Sequence, residues 1–453
     1  MRLTIVHPCI GRRVGQRYIR SWQMEPLPAA RLAGLTPPDV SISFHDDRME
    51  RIPFDAPCDL VAISVETYTA KRAYQIASEY RKRGVPVVMG GFHATLCPRE
   101  TARYAEHVVT GDADEAWPEF LDDFRAGRAR KFYHGAVGKS LSHARYDRSI
   151  YAGKRYLPIA LVETARGCNR KCDFCAIQSF FRRTHVRRPV AEVVDEIRQQ
   201  ARRARVFFFV DDNFVTDRAR AWEFLVELTK LNIRWITQMS IDAAHDEDFL
   251  ALMARSGCEG VLIGFESLDP RTLRGVNKGF ALMKGGYDAA MKNLTRHGIR
   301  IYGTFIFGND EDGPESFEAA LDFAIRHRFY VAAFNHLTPF PGTPLYERLR
   351  REGRLTMPSW WLDDDYRYNM VPFRPRRMTP EAVRAHCVNA RKRFYSPVSM
   401  IRRGFSRINM GSAFMFRHFF PINIMHRLEI SVRDGLPLGD AAWRGELLEA
   451  DGA

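Results

Sequence analysis

What most constrains the fold of this 453-residue chain is a βα rhythm that runs in two series and then stops. In the first series, apolar strands at 2–6, 40–44, 60–64, 85–89 and 107–110 alternate with helical patterns, notably 69–83 and 115–125. Strands with near-continuous apolar runs are buried on both faces, as in a parallel sheet covered by helices. Residues 1–130 therefore predict a Rossmann-like domain. Its ligand crevice should open beyond the carboxyl ends of the strands, where Ser64, Gly90, Gly91 and Gly111 fall. A stretch of mixed composition, 131–155, reads as a linker. The second series, 156–350, has strands at 158–163, 206–210, 233–238, 260–264, 300–306 and 330–336, the first five each followed by a helical pattern. Six such units predict a partial (β/α)6 barrel of the TIM type, with its chemistry at the C-terminal strand ends. The α/β class thus covers residues 1–350. From 351 to 453 the rhythm gives way to helical, Arg-rich pieces broken by prolines, read as a substrate or docking segment.

Several classes of function are excluded early. No apolar run approaches the ~18 residues of a membrane span. The first residues, Met1 to Pro8, have too short an apolar core for a secretory signal, so a cytoplasmic protein is expected. Eight cysteines in a long chain of that kind argue for metal or redox chemistry rather than disulfides. Cys9, Cys58, Cys97, Cys258 and Cys387 are scattered and read as small buried hydrophobes. The formal charge of +14 is concentrated near the C-terminus: residues 372–427 hold twelve Arg or Lys against Glu381 alone. That segment fits either an ordinary solvated helical face or contact with an anionic molecule or membrane surface. The aromatic residues of 414–425 suit packing on the barrel or a peripheral membrane contact. No nucleic-acid partner is expected.

The other three cysteines lie within eight residues. The run Glu163-Thr-Ala-Arg-Gly-Cys168-Asn-Arg-Lys-Cys172-Asp-Phe174-Cys175 directly follows the first barrel strand. Three and two intervening residues let one loop give three thiolates to an iron–sulfur cubane, which leaves one iron open. Zinc is the alternative, although structural zinc usually takes four closed ligands. Arg166, Arg170 and Lys171 add positive charge nearby.

This loop resembles that of the radical S-adenosylmethionine superfamily, including Phe174 before the last cysteine. The resemblance implies that Cys168, Cys172 and Cys175 hold a [4Fe–4S] cluster and that S-adenosylmethionine chelates the open iron. Later segments resemble the family in order. Asp211-Asp212-Asn213 follows the second strand, Ser240 the third, Gly264-Phe-Glu266 ends the fourth, and Gly303 to Ile306 lies in the fifth. By that likeness Phe174, Asp212, Asn213, Ser240, Glu266, Gly303 and Ile306 would contact S-adenosylmethionine. An electron donor such as flavodoxin or ferredoxin is implied as a partner.

The first domain resembles the subgroup with an N-terminal cobalamin-binding domain, which includes methyltransferases, hopanoid-maturation enzymes and the anaerobic porphyrin cyclase. Ser64, Gly90, Gly91, His93 and Gly111 would then face cobalamin. The Asp-x-His-x-x-Gly motif of other cobalamin proteins is absent, so no histidine from that motif is available to cobalt. The implied activity is C-methylation of a small-molecule or lipid-like substrate at an unactivated carbon, initiated by a 5′-deoxyadenosyl radical. Alternatives are a radical rearrangement or cyclisation without methyl transfer, a methylthiotransferase and a non-catalytic binding protein. The methylthiotransferase reading needs Cys9, Cys58 and Cys97 together, yet Cys58 precedes its strand while the other two follow theirs. Trp360-Trp361 reads as a docked surface loop or a closure over substrate.

Overall fold

The computed structural model describes residues 1–450 apart from 17, 140, 142, 283 and 284. The N-terminal strands are β1 (Arg2–His7), β2 (Ser41–Asp46), β3 (Leu60–Ser64), β4 (Val87–Gly90), β5 (His107–Thr110) and β6 (Phe132–His134). They form one sheet in the order β2-β1-β3-β4-β5-β6, parallel throughout. This is a doubly wound order whose direction of growth reverses between β1 and β3, the switch point where ligands bind such sheets. Residues such as Leu3, Ile5, Val61, Ile63 and Met89 are almost wholly buried, which accounts for the unbroken apolar runs. The sixth strand falls in the segment expected to be a linker. Its three residues carry too short a pattern to read, and pairing with β5 is what makes them a strand.

The second sheet runs β7 (Ile159–Val162), β8 (Val206–Phe209), β9 (Trp235–Gln238), β10 (Cys258–Glu266), β11 (Arg300–Phe307) and β12 (Val331–His336) in sequential, parallel order. Among the described residues β7 and β12 do not pair, so the barrel is open. Its core lies between strands and helices, with Phe207, Phe209, Trp235, Phe265, Phe305 and Phe334 facing the outer helical layer.

An open edge exposes backbone groups that must be satisfied. On β12 the C-terminal segment supplies the partners. Tyr395 Oη donates to the Ala332 carbonyl (2.9 Å), Arg391 Nε to that of Phe334 (2.9 Å), and Arg403 and Asn423 to that of Tyr330 (3.3 and 3.1 Å). Arg403 is fully buried, stacked 3.7 Å over Phe394. Part of the basic charge in 372–427 is therefore structural. Arg384, Arg376, Arg377 and Arg393 are likewise paired, with Asp434, Asp310, Glu315 and Glu318. No helix among the described residues is long and apolar enough to cross a membrane.

Candidate functional site

Beyond β7 the chain turns into a two-stranded hairpin, Ala165–Gly167 against His185–Arg187. Gly167 has φ +87°, and a β-carbon there would lie 2.2 Å from the Thr184 carbonyl oxygen, so only glycine makes this turn. Cys168, Cys172 and Cys175 follow on an irregular loop, and Cys175 leads into the short helix Ala176–Phe181. The end of β8 holds this loop. Buried Asp211 accepts hydrogen bonds from the Thr164 and Ala165 amides (2.7 and 3.0 Å) and from the Thr164 hydroxyl; Asp212 accepts from the Gly167 amide (2.7 Å). Burial pushes Asp211 up to about 6 and Asp212 up to about 7. It also pushes the Cys172 thiol up to about 12. Among the described residues no three Cys, His, Asp or Glu side chains are gathered tightly enough to hold a single metal ion.

The positive charge expected around the loop is largely neutralised. Arg166 is clamped by Glu163 (2.8 Å), Asp112 (2.8 Å) and Asp114 (3.1 Å), which ties the cysteine hairpin to the β5 end of the first domain. Arg170 pairs with Asp242 (2.9 Å) and lies 4.0 Å over Phe280.

At the barrel mouth the strand ends gather polar atoms. Asn213 Oδ1 accepts from the Ser240 amide (2.9 Å), but its Nδ2 and the Ser240 hydroxyl are buried with no partner. Glu266, at φ +61°, takes Lys278 Nζ on one oxygen (2.6 Å) and leaves Oε2 buried and unpartnered. Buried polar atoms normally have partners. Three such atoms at adjacent strand ends are suited to the amino, carboxylate and ribose groups of a polar ligand. Phe174 packs on the barrel core. Gly303 departs from expectation: a β-carbon there would meet the Phe329 ring at 2.2 Å, so it serves packing toward the outer layer. Ile306, three residues on, falls on the opposite face by the two-residue period of a strand.

Between the two domains lies a cleft of about 670 Å³. Ser64, Gly90, Gly91 and Gly111 line it from the first domain; Ala165, Arg166, Phe180 and Asp212 line it from the barrel. The glycines stand where expected but for a different reason. A β-carbon on Gly91 (φ +96°) would press on Ser64 Oγ and the Val65 backbone at 3.0–3.1 Å, and one on Gly111 on the Gly135 carbonyl at 2.2 Å. Their missing side chains make room for neighbouring backbone. His93 is removed from the set: it is buried, with Nε2 3.0 Å from Glu100 Oε1, edge-on to Trp361. Trp361 donates to the same Glu100 (2.9 Å) and Trp360 to the Pro339 carbonyl (3.0 Å), so this pair docks a loop and does not hang free over the cleft. His7, passed over in the sequence, lines the cleft at the end of β1. Burial and Arg48 push its pKa down to about 4, which keeps the imidazole neutral. Lys278 also carries no sequence signal, being twelve residues from Glu266 in a loop.

The family model described as the radical SAM superfamily matches residues 162–324, from the end of β7 through the cysteine loop and β8–β11. A second, described as a domain of unknown function (DUF4070), matches 343–429. The bacteriochlorophyllide d C-12(1)-methyltransferase of Chlorobaculum tepidum is 30% identical over 389 residues, 83% of this chain and 84% of that protein. This chain belongs to the radical S-adenosylmethionine superfamily. As a radical SAM enzyme it has a [4Fe–4S] cluster and S-adenosylmethionine as cofactors, and its residues fit both. Three thiols on one loop leave one iron open, and the unpartnered atoms of Asn213, Ser240 and Glu266 stand ready for a polar cosubstrate. Its fold is that of two solved enzymes. The radical SAM methyltransferase TsrM of Kitasatospora setae aligns at 17% identity and TM-score 0.66 over 95% of this chain and 99% of that one. The cobalamin-dependent enzyme OxsB aligns at 14% and 0.67 over 94% and 72%.

Proposed function

We propose that this radical SAM enzyme is a cobalamin-dependent methyltransferase acting on an unactivated carbon of a small organic molecule, with a flavodoxin- or ferredoxin-like electron donor. What supports this reading is the cleft between the domains. It is walled on one side by the carboxyl ends of a doubly wound sheet and on the other by the cysteine hairpin, so one large ligand there touches both. Together the bound groups supply an electron to split S-adenosylmethionine, a radical that removes a hydrogen atom, and a carrier for the methyl group.

The protein's own residues bind and orient. Cys168, Cys172 and Cys175 hold the cluster, and Asp211 and Asp212 keep their loop in place through backbone amides. Asn213, Ser240 and Glu266 orient S-adenosylmethionine. Ser64, Gly90, Gly91 and Gly111 form the floor against which cobalamin lies. Phe92 and Phe180, 4.5 Å apart, close the seam between the domains against water.

The test is anaerobic reconstitution with iron, sulfide and cobalamin, followed by reaction with S-adenosylmethionine carrying a deuterated methyl group. Bacteriochlorophyllide d is the first substrate to offer, given the relative at 30% identity. Methyl transfer should yield S-adenosylhomocysteine and 5′-deoxyadenosine in equal amounts with a trideuterated product. Formation of 5′-deoxyadenosine alone, with full cobalamin loading and a consumed substrate, would replace this reading with rearrangement or cyclisation.

A further inference from the structure

The described residues include ten exposed large hydrophobic side chains, and six of them, Val398, Ile401, Phe405, Met410, Ile424 and Leu428, fall within one stretch of the C-terminal segment. They are not the aromatics that the sequence points to, since Phe419 of that run is buried against Tyr330. Val398, Ile401 and Phe405 recur at three and four residues along and just beyond the helix Pro397–Gly404, which places them on one face. The opposite face of that helix is buried: Met400 is shielded, Arg403 bonds the Phe329 carbonyl, and Gly404 lies against Phe419 and Phe420 of the helix Ala413–Arg433. Ile424 and Leu428 stand one turn apart on the helix Ala413–Arg433, and Leu428 shares a groove of about 720 Å³ with Val398. The two helices thus present one continuous outward apolar face. Val398 and Leu428 are 77% and 67% exposed, far more than packing inside this chain would leave.

Charge decides what covers this face. Lys392, Arg402 and Arg427 line the same groove, and no Asp or Glu occurs between Glu381 and Glu429. A second copy docked face to face would bring these cations together without compensation. A surface of dispersed negative charge with an apolar interior matches both features. The mounting is rigid, because Arg403 bonds the first helix to the carbonyls of Phe329 and Phe394 and to Asn423 of the second. We propose that this face is a docking surface for an anionic lipid bilayer, on which the two helices lie flat. It is independent of the reaction assigned to the cleft and brings the enzyme to apolar substrates dissolved in or bound at a membrane.

The experiment is co-sedimentation of the full reconstituted chain with vesicles of phosphatidylcholine alone and with added phosphatidylglycerol. Binding should require phosphatidylglycerol and weaken as salt is raised. The double substitution I401E/L428E should abolish binding. R402E/R427E should lower affinity for the anionic vesicles at least about tenfold. All four positions lie at the surface, and unchanged cluster absorbance and melting temperature would show that the fold is kept. Absence of binding to anionic vesicles at moderate salt overturns the proposal, as does binding that both double variants retain. Concentration-dependent dimerisation lost in I401E/L428E, with no vesicle binding, would instead assign the face to a second copy of the chain.

Discussion

Lys278 Nζ sits 2.6 Å from Glu266 Oε1 and 2.7 Å from the carbonyl of Gly264, locking a strand-end carboxylate whose own backbone is left-handed at φ +61°. A non-glycine residue in that region costs about 1–3 kcal/mol and persists where the surroundings enforce it. Here the enforced geometry leaves Oε2 free of protein partners. Glu266→Gln should weaken S-adenosylmethionine binding about tenfold or more, the worth of a charge-assisted hydrogen bond, with iron content unchanged. Lys278→Met should destabilise by about 3–5 kcal/mol by leaving a buried charge unpaired. The double variant should recover much of that stability but none of the binding. Equilibrium dialysis and denaturant unfolding separate the two effects.

The cysteine loop divides its supports by role. Replacing Cys168, Cys172 and Cys175 with Ala should abolish a content of about four irons per chain and all reductive cleavage of S-adenosylmethionine. Asp211→Ala should also lower iron loading, because three donors from Thr164 and Ala165 lose their common acceptor. Asn213→Ala and Ser240→Ala should leave iron content intact and weaken cosubstrate binding. Iron analysis beside binding isotherms distinguishes these outcomes.

Substitution of the cleft glycines is predicted to report on folding. Gly91→Ala combines a left-handed φ with contacts near 3.0 Å, and Gly111→Ala drives a β-carbon onto a carbonyl. Each should lower the melting temperature by several degrees, for a cost of about 1–3 kcal/mol. A steric probe of the cofactor needs a lining side chain with room beyond it. Ala113→Trp, at the cleft wall, should block cobalamin uptake measured by absorbance while the cluster still assembles.

The pH dependence of the metal-free protein follows from its buried histidines. Burial pushes His7, His185 and His426 down to about 4 and His336 to about 3. Between pH 6.5 and 4 the unfolded chain takes up these protons while the folded chain does not, so stability should fall as pH falls. Asp211 and Asp212, raised to about 6 and about 7, bind protons earlier in the folded state and oppose this. His45, His107 and His327 are lowered as well, and Glu66, Asp112, Asp173 and Asp312 raised. The histidines are the more numerous and include the four large downward shifts, so thermal unfolding should still show a net loss of stability across that window. A flat profile would mean that the raised carboxylates offset the histidines and would overturn this balance.

The sequence by itself determined the two parallel sheets and the three-cysteine loop, because both depend on local pattern. Runs buried on two faces are near-continuously apolar, and three thiols on one loop need no distant partner. Strand order and register came from the structure, yet β1, β3, β5 and the barrel strands lie within a few residues of their expected places. What only the tertiary structure decided is where each side chain points and what meets it. Gly303 and Ile306 are near neighbours in sequence but face opposite sides of β11. His93 follows the Gly90-Gly91 turn yet turns inward to Glu100, which also accepts from Tyr74 and from Trp361, the latter 261 positions away. Arg403 reads as surface charge but is buried to satisfy the open edge of the barrel. Phe132–His134 becomes a strand through its pairing with β5. Such assignments rest on long-range packing and on the satisfaction of buried polar groups, and neither leaves a periodic trace along the chain.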